Sequence, residues 1–135
     1  MKVIVDSHAL VHYLADAEHL SEPAVDALLA AENSEGVVVS VATLGDLWYA
    51  SQKTSSRPVA PGIFEYVRGT ALDPSLNFVV YPISAATMIF FDDIPLNDLR
   101  DPFDRFILAT AAQLRLPLVT ADRAIAKTGM VEIIW

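Results

Sequence analysis

The chain has 135 residues, close to the usual size of one domain, and 53% of them are hydrophobic while 19% are charged. This composition excludes an intrinsically disordered chain, and the lack of cysteine excludes disulfides, thiol catalysis and cysteine-bound zinc. Nine Lys and Arg against 17 Asp and Glu give a net charge of −8. Either the ligand is not a nucleic acid, or a cation balances many of the acids.

No apolar run is long enough to span a bilayer, and the first residues lack the pattern of a signal peptide. We therefore expect a cytoplasmic protein without a membrane segment.

Two kinds of segment alternate along the chain. Short, wholly apolar runs are typical of strands buried on both faces of a sheet, and apolar residues spaced three and four apart indicate helices. The first half predicts a strand at 3–5, a helix around 9–14, a helix from Ser21 that Gly36 breaks, a strand at 37–39, a helix at 41–53 and a loop at 54–62.

The second half continues the alternation. It predicts a helix at 63–72, a strand at 78–81, a short helix at 84–91, a polar turn-rich segment at 92–100, a helix from Asp101 to about Leu114, a strand at 117–120, a short helix ending near Lys127 and a strand at 131–135. Such alternation predicts one domain over residues 1–135. We expect a three-layer α/β/α sandwich around a mostly parallel sheet of about five strands.

Aspartates follow the predicted strands. Asp6 comes directly after the first strand, Asp46 lies one to two turns into the helix after the second, and Asp122 lies two residues past 117–120. Asp104 is in the first turn of the helix before that strand, three residues after Asp101. Because ligands of open parallel sheets bind beyond the carboxyl ends of the strands, at least three of these acids are expected to converge.

Each aspartate also has an ordinary structural explanation, because acids cap helix N-termini and favour first turns. These explanations are a cap at Asp6, a cap and first-turn acid at Asp101 and Asp104, a first-turn acid after a Thr120 cap at Asp122, and a solvated helix position at Asp46. These separate explanations do not account for several aspartates at one sheet edge, since closely spaced carboxylates do not all stay ionised without a positively charged partner. Mg²⁺ or Mn²⁺ is the natural partner, because both prefer oxygen ligands and engage phosphates.

Three blocks carry a more specific signal: VIVDSHAL at 3–10, DPFDRFILATA at 101–111 and LVTADR at 118–123, with VEIIW closing the chain. In these blocks, and over nearly its whole length, the chain resembles the PIN-domain ribonucleases and, among them, the VapC-type toxins of toxin–antitoxin pairs. The resemblance implies an Mg²⁺- or Mn²⁺-dependent endoribonuclease that hydrolyses RNA phosphodiester bonds and leaves 5′-phosphate and 3′-hydroxyl ends.

The resemblance also implies which residues form the site. Its four metal-binding acids fall at Asp6, Asp46, Asp104 and Asp122. Asp46 stands where most relatives have Glu, so it reaches a cation only if its helix lies closer or a water bridges. The implied supporting residues are Asp101, Thr120 and Ser7.

Basic residues near the predicted edge are candidate RNA contacts. Arg100, Arg105 and Arg123 could contact phosphates, and the alternative for each is an ordinary surface ion pair. His8 and His12 are spaced as a helical metal pair, but Ala9 stands where zinc proteases have Glu, so a polar helix face is expected. RNA specificity is expected to depend on residues 54–62 and 92–100.

The resemblance further implies two protein partners. One is a cognate antitoxin, whose helix and tail cover an apolar groove and whose arginine reaches the acids, and the other is a second copy of the chain in a homodimer. Groove residues would be Trp48, Tyr49, Tyr13 and Leu14, for which core packing is the alternative.

Two other functions remain open. A phosphatase or phosphotransfer domain also has an aspartate after its first strand, but His8 stands where a second aspartate is usual, and no lysine follows Val119 and Thr120. A PIN-like module that binds a partner without catalysis is compatible with the shorter acid at Asp46.

Overall fold

The fold is built on one parallel sheet. The structure, a computed structural model, describes residues 1–52 and 58–135. In these residues the strands are β1 (Val3–Val5), β2 (Val37–Ser40), β3 (Phe78–Tyr81), β4 (Leu118–Val119) and β5 (Ile133–Ile134). Their order across the sheet is β3-β2-β1-β4-β5, and every neighbouring pair is parallel.

Helices connect the strands. They are α1 (Ser7–Ala15), α2 (Glu22–Glu32), α3 (Val41–Ala50), α4 (Ile63–Ala71), α5 (Ala85–Asp92), α6 (Pro102–Leu114) and α7 (Arg123–Lys127), with a 3-10 turn at Ala17–His19. The serine that precedes α2, Ser21, accepts a hydrogen bond from the Ala24 N–H group and so begins the helix where predicted. None of the helices in the described residues is long and apolar enough to cross a membrane.

Both faces of the sheet are covered, as expected for a three-layer sandwich. Along β1, Val3 and Val5 pack into one core with side chains of α1, α2 and α4. Ile4 points to the other face and packs into a second core that contains Ile107 and Leu108 of α6. Because β1 is buried on both faces, it has the wholly apolar sequence that predicted a parallel sheet. The predicted fold class is confirmed.

Some boundaries differ from the prediction. Helix α3 ends at Ala50, earlier than the predicted end near residue 53. Residue 53 and residues 54–57 of the predicted loop lie outside the described residues. The last two strands are shorter than predicted: β4 spans only Leu118–Val119 and β5 only Ile133–Ile134, the residues that pair with each other.

The connections create a crevice at the carboxyl ends of the strands. From β1 the chain continues to β2 on one side, whereas β4 lies on the other side of β1. The helices that follow β1 and β4 pack on opposite faces, since α1 belongs to the first core and Ile125 of α7 to the second. Such a switch point is where open parallel sheets bind ligands.

Candidate metal centre

Asp6 and Thr120 meet across the switch point. The backbone N–H of Asp6 donates to the Val119 carbonyl at 3.2 Å, which places the two strand ends side by side. One carboxylate oxygen of Asp6 accepts from the Ala9 N–H at 2.8 Å, and the other accepts from the Thr120 hydroxyl. Asp6 is therefore both the cap of α1 and a buried acid at the floor of the crevice.

Asp122 is tied to the same group. Its backbone N–H donates to Thr120 Oγ1 at 3.0 Å, so the threonine hydroxyl links the two aspartates. One carboxylate oxygen of Asp122 accepts from the N–H groups of Ala124 and Ile125 at 2.8 and 3.2 Å. Asp122 itself caps α7, rather than following a Thr120 cap. This rigid set of bonds holds β4 and the start of α7 in one position relative to Asp6.

Helix α6 brings two more aspartates. Asp101 caps the helix and accepts a hydrogen bond from the Asp104 N–H at 3.0 Å, and Pro102 occupies the first turn, as the sequence predicted. The Asp104 side chain is half-buried and, in the described part of the chain, accepts no hydrogen bond. Among the described residues it is thus a carboxylate without a hydrogen-bond donor, next to the capping acid Asp101.

Asp46 reaches the crevice from α3. The residue before it, Gly45, faces α6, and a Cβ there would lie 3.2 Å from Phe103 Cε1. Glycine therefore allows α3 and α6 to pack more closely than a larger residue would. The expectation that Asp46 reaches a cation only if its helix lies close is compatible with this packing.

The aspartates that line this crevice lie close enough for their charges to interact. Burial, and then the negative charges of four neighbouring aspartates, raise the pKa of Asp104 to about 7. In order of effect these neighbours are Asp101, Asp122, Asp46 and Asp6. Burial likewise raises the pKa of Asp6, although hydrogen bonds from Thr120 and Ala9 oppose the rise. The aspartates predicted to converge do converge.

The acids open into a cleft of about 740 Å³. Asp46, Asp101, Asp104 and Asp122 line one part of it. Apolar side chains of α1, α3 and α4, such as Tyr49, line another part, and the polar residues Ser7, His8, His12 and Asp16 also reach it. A smaller cavity of about 270 Å³ reaches Asp6 and shares Asp104 and Asp122 with the cleft.

The residues fit a hard divalent cation. Carboxylates are the oxygen ligands that Mg²⁺ and Mn²⁺ prefer, and within residues 1–52 and 58–135 none of these aspartates forms an ion pair with a Lys or Arg. Ser7 also lines the cleft, and its buried hydroxyl has no hydrogen-bond partner among the described residues. Such a hydroxyl is available to a water or ligand oxygen in the cleft.

The prediction for Arg105 is wrong. Its side chain is buried, and its guanidinium donates to the carbonyls of Leu99, Phe91 and Ile94 at 2.7, 2.9 and 2.8 Å. Arg105 therefore fastens the segment before α6 to the helix and is not available to RNA. Arg100 and Arg123, in contrast, are exposed.

Two predicted groove residues are exposed and two are not. Trp48 and Tyr49 are 46% and 59% exposed, and their rings contact each other edge to face. Tyr13 and Leu14 instead pack against the first core, which was the alternative for all four.

Sequence reasoning missed a second polar cluster, made of His12, Asp16 and His19. Their ligand atoms all lie within 4.8 Å of one another, and His12 lines both cavities. The pairing of His12 with His8 was the wrong spacing to examine. The signal was His-x3-Asp-x2-His, which brings three ligands together when a helix ends and a 3-10 turn follows.

Comparison with known proteins gives a family and a set of similar folds. The profile of the PIN domain family matches residues 3–130. No curated protein sequence matches the chain.

Solved structures of VapBC complexes and a VapC toxin share the fold. VapBC2 of Rickettsia felis, bound to a DNA fragment from the promoter, superposes with a TM-score of 0.71 at 13% identity and covers 98% of this chain and 97% of its own. DNA-bound VapBC of Salmonella typhimurium gives 0.68 at 19% identity, with 98% and 96% covered. VapC20 of Mycobacterium tuberculosis, a toxin that cleaves the sarcin–ricin loop, gives 0.66 at 14% identity, with 98% and 99% covered.

Proposed function

The chain belongs to the PIN domain family, and on that premise we propose that it is an Mg²⁺- or Mn²⁺-dependent endoribonuclease, the toxin of a VapBC-type pair. One observation carries the proposal: aspartates from four segments of the chain line two adjoining cavities at the switch point, namely Asp6, Asp46, Asp101 with Asp104, and Asp122. A divalent cation among such charges relieves their repulsion, and a phosphodiester is the substrate class that such cations engage.

The proposed ligands are Asp6, Asp46, Asp104 and Asp122. When bound, the divalent cation lowers the pKa of the attacking water and balances charge on the phosphate and the leaving 3′-oxygen. The chain's own contribution is to hold the acids in place. Thr120 fixes one carboxylate oxygen of Asp6 by hydrogen bonding, and Asp101 fixes the first turn of α6 that carries Asp104.

The exposed arginines are proposed RNA contacts. Arg123 follows Asp122 directly, and Arg100 precedes Asp101, so both lie beside the acids in the chain and reach solvent. Arginine at the rim of an acidic cleft offers a fork of donors to phosphates on either side of the cleaved bond. The net charge of −8 makes such local contacts, rather than a general basic surface, the means of holding RNA.

The cleft also supports the proposal of an antitoxin partner. Its apolar part is continuous with its acidic part, so one chain segment can place apolar side chains near Val11, Tyr49 and Ile63 and a basic side chain among the aspartates. We propose that the cognate antitoxin binds in this way and displaces RNA. A homodimer, which the resemblance to VapC toxins implies, remains a proposal. The exposed Met88 and Ile89 of α5 are a candidate contact. We expect the protein to act in the cytoplasm.

An RNA-cleavage assay tests the proposal. Purified protein with Mn²⁺ or Mg²⁺ is incubated with total RNA and with a sarcin–ricin loop hairpin, the target of the M. tuberculosis toxin. Cleavage is expected to stop with EDTA and to fall by roughly 10²-fold or more in Asp6→Asn and Asp104→Asn, the range lost when a reacting group is removed. Asp26→Asn is the matched control, since Asp26 is an exposed acid on α2.

Each other outcome points elsewhere. Cleavage that survives EDTA or both substitutions contradicts the metal mechanism. Hydrolysis of a small phosphomonoester without RNA cleavage favours a phosphatase. No activity, together with tight binding of a basic antitoxin-like peptide, favours a binding module.

A further inference from the structure

The cluster of His12, Asp16 and His19 lies outside the carboxylate site and has the chemistry of a different metal. Two imidazole nitrogens and a carboxylate form a ligand set that Zn²⁺ and its neighbours among the transition metals bind in proteins, whereas Mg²⁺ favours oxygen alone. We propose that these three residues bind one Zn²⁺-class ion at the rim of the cleft, independently of the proposed nuclease site.

Local structure already holds the three ligands together. Asp16 ends α1, and its N–H donates to the His12 carbonyl at 2.9 Å. The chain then makes the 3-10 turn, in which the His19 N–H donates to the Asp16 carbonyl at 3.0 Å. These backbone bonds fix the direction in which each of the three side chains leaves the chain, so little order remains to be imposed when an ion binds.

The side chains are arranged around a common point. His12 Nδ1 lies 2.7 Å from Asp16 Oδ1, and His19 Nδ1 lies 3.3 Å from Asp16 Oδ2. Both histidines therefore turn the same ring nitrogen towards one carboxylate. The side chains of His12, Asp16 and His19 are 32%, 38% and 60% exposed, so an ion can enter from solvent.

The separation of the two rings matches a shared ion. With metal–nitrogen bonds of about 2.0–2.1 Å and a tetrahedral angle, two imidazoles on one Zn²⁺ have ring centroids roughly 5 Å apart. The centroids of His12 and His19 are 5.1 Å apart with the ring planes 24° from parallel, a separation that stacked rings also have without an ion. The alternative is that Asp16 only forms ion pairs with protonated His12 and His19. In that case no metal ion binds to the cluster.

The position connects this cluster to the cleft. His12 and Asp16 line the cavity of about 740 Å³, and His12 and His19 line the cavity of about 270 Å³. Three protein ligands leave a fourth position for water or for an oxygen of a ligand in the cleft. The ion would thus lie beside the aspartates of the proposed nuclease site without being bound by any of them.

Metal titration of the full chain tests the proposal. Chelator-treated protein near pH 7.5, about one unit above the ordinary pKa of histidine, is titrated with Zn²⁺ by calorimetry and with Co²⁺ by visible absorption. One equivalent of Co²⁺ is expected to give the intense visible bands of a four-coordinate ion, whereas any ion on the aspartates of the proposed nuclease site, with oxygen ligands alone, adds only weak bands. His19→Gln, at an exposed position, is expected to weaken binding by about tenfold or more, in line with the effects of disturbing a metal site.

Two further variants locate the ion. His8→Gln changes an exposed histidine on the same helix and is expected to leave the affinity unchanged. The double variant Asp104→Asn/Asp122→Asn is expected to keep one equivalent of four-coordinate Co²⁺, whatever it does to RNA cleavage. Zn²⁺ affinity unchanged in His19→Gln, no binding at all, or an ion lost only in the aspartate double variant would each overturn the proposal.

Discussion

Replacing Asp104 by asparagine is expected to stabilise the protein when no metal is present. Its pKa rises from 3.8 to about 7 on folding. Between these two values the folded protein keeps a proton that the unfolded chain has lost, so the free energy of unfolding falls as the pH rises from about 4 to about 7. Above that range the ionised side chain destabilises the folded state fully. Asparagine removes the charge, and among the described residues the substitution breaks no hydrogen bond of the Asp104 side chain.

The size of the effect follows from the shift. A rise of roughly 3 units at about 1.36 kcal/mol each is ~4 kcal/mol, which we halve to ~2 kcal/mol because the side chain is only half-buried and solvent screens it. Loss of an acid from the first turn of α6 subtracts about 0.5 kcal/mol. Asp104→Asn should therefore raise the free energy of unfolding by about 1.5 kcal/mol at alkaline pH and by almost nothing near pH 4.

Urea denaturation with EDTA, repeated across this pH range, measures the effect. Asp26→Asn is the matched control and should change stability by less than about 0.5 kcal/mol at any pH. Adding Mn²⁺ should reverse the order, because the wild type gains stability from a bound ion and the variant gains less. A variant that is less stable than the wild type at alkaline pH without metal would refute the reasoning.

Three other predictions rest on single contacts. Gly45→Ala should weaken Mn²⁺ binding in calorimetry, because its methyl group would press on Phe103 of α6. The control Gly69→Ala has open space around it and should only raise the free energy of unfolding, by up to about 1 kcal/mol. Arg105→Met should lower the free energy of unfolding by about 3 kcal/mol, since it leaves buried carbonyls without donors. Arg123→Gln should leave the free energy of unfolding unchanged and weaken RNA binding. Thr120→Val should cost about 1–2 kcal/mol and lower Mn²⁺ affinity, and Thr120→Ser should restore both. Equal effects within either pair, or a valine variant with normal affinity, would contradict these assignments.

The sheet and the positions of the acids were predictable because their signals are local. The apolar run at Val3–Val5 ends at an aspartate, and parallel strands bring such ends to one edge. Asp101 and Pro102 likewise predict the start of α6, since a helix N-terminus favours an acidic cap followed by a proline. The family resemblance then favoured a metal site over a set of unrelated caps.

Properties that depend on distant segments were not predictable. Arg105 looked like a rim residue, because no local pattern reveals that the end of α5 and the turn at 93–100 together present three carbonyls to it. The close packing of Gly45 on Phe103 joins two helices far apart in sequence. The cluster at His12 depends on a turn whose geometry the residue types alone do not specify.

The central claim is that aspartates from separate segments hold a divalent cation at the switch point of the sheet. Anomalous diffraction from crystals grown with Mn²⁺ tests this directly. We predict a manganese peak bounded by the carboxylates of Asp6, Asp104 and Asp122, with Asp46 beside it. Well-ordered side chains at these positions with no peak between them would contradict the account.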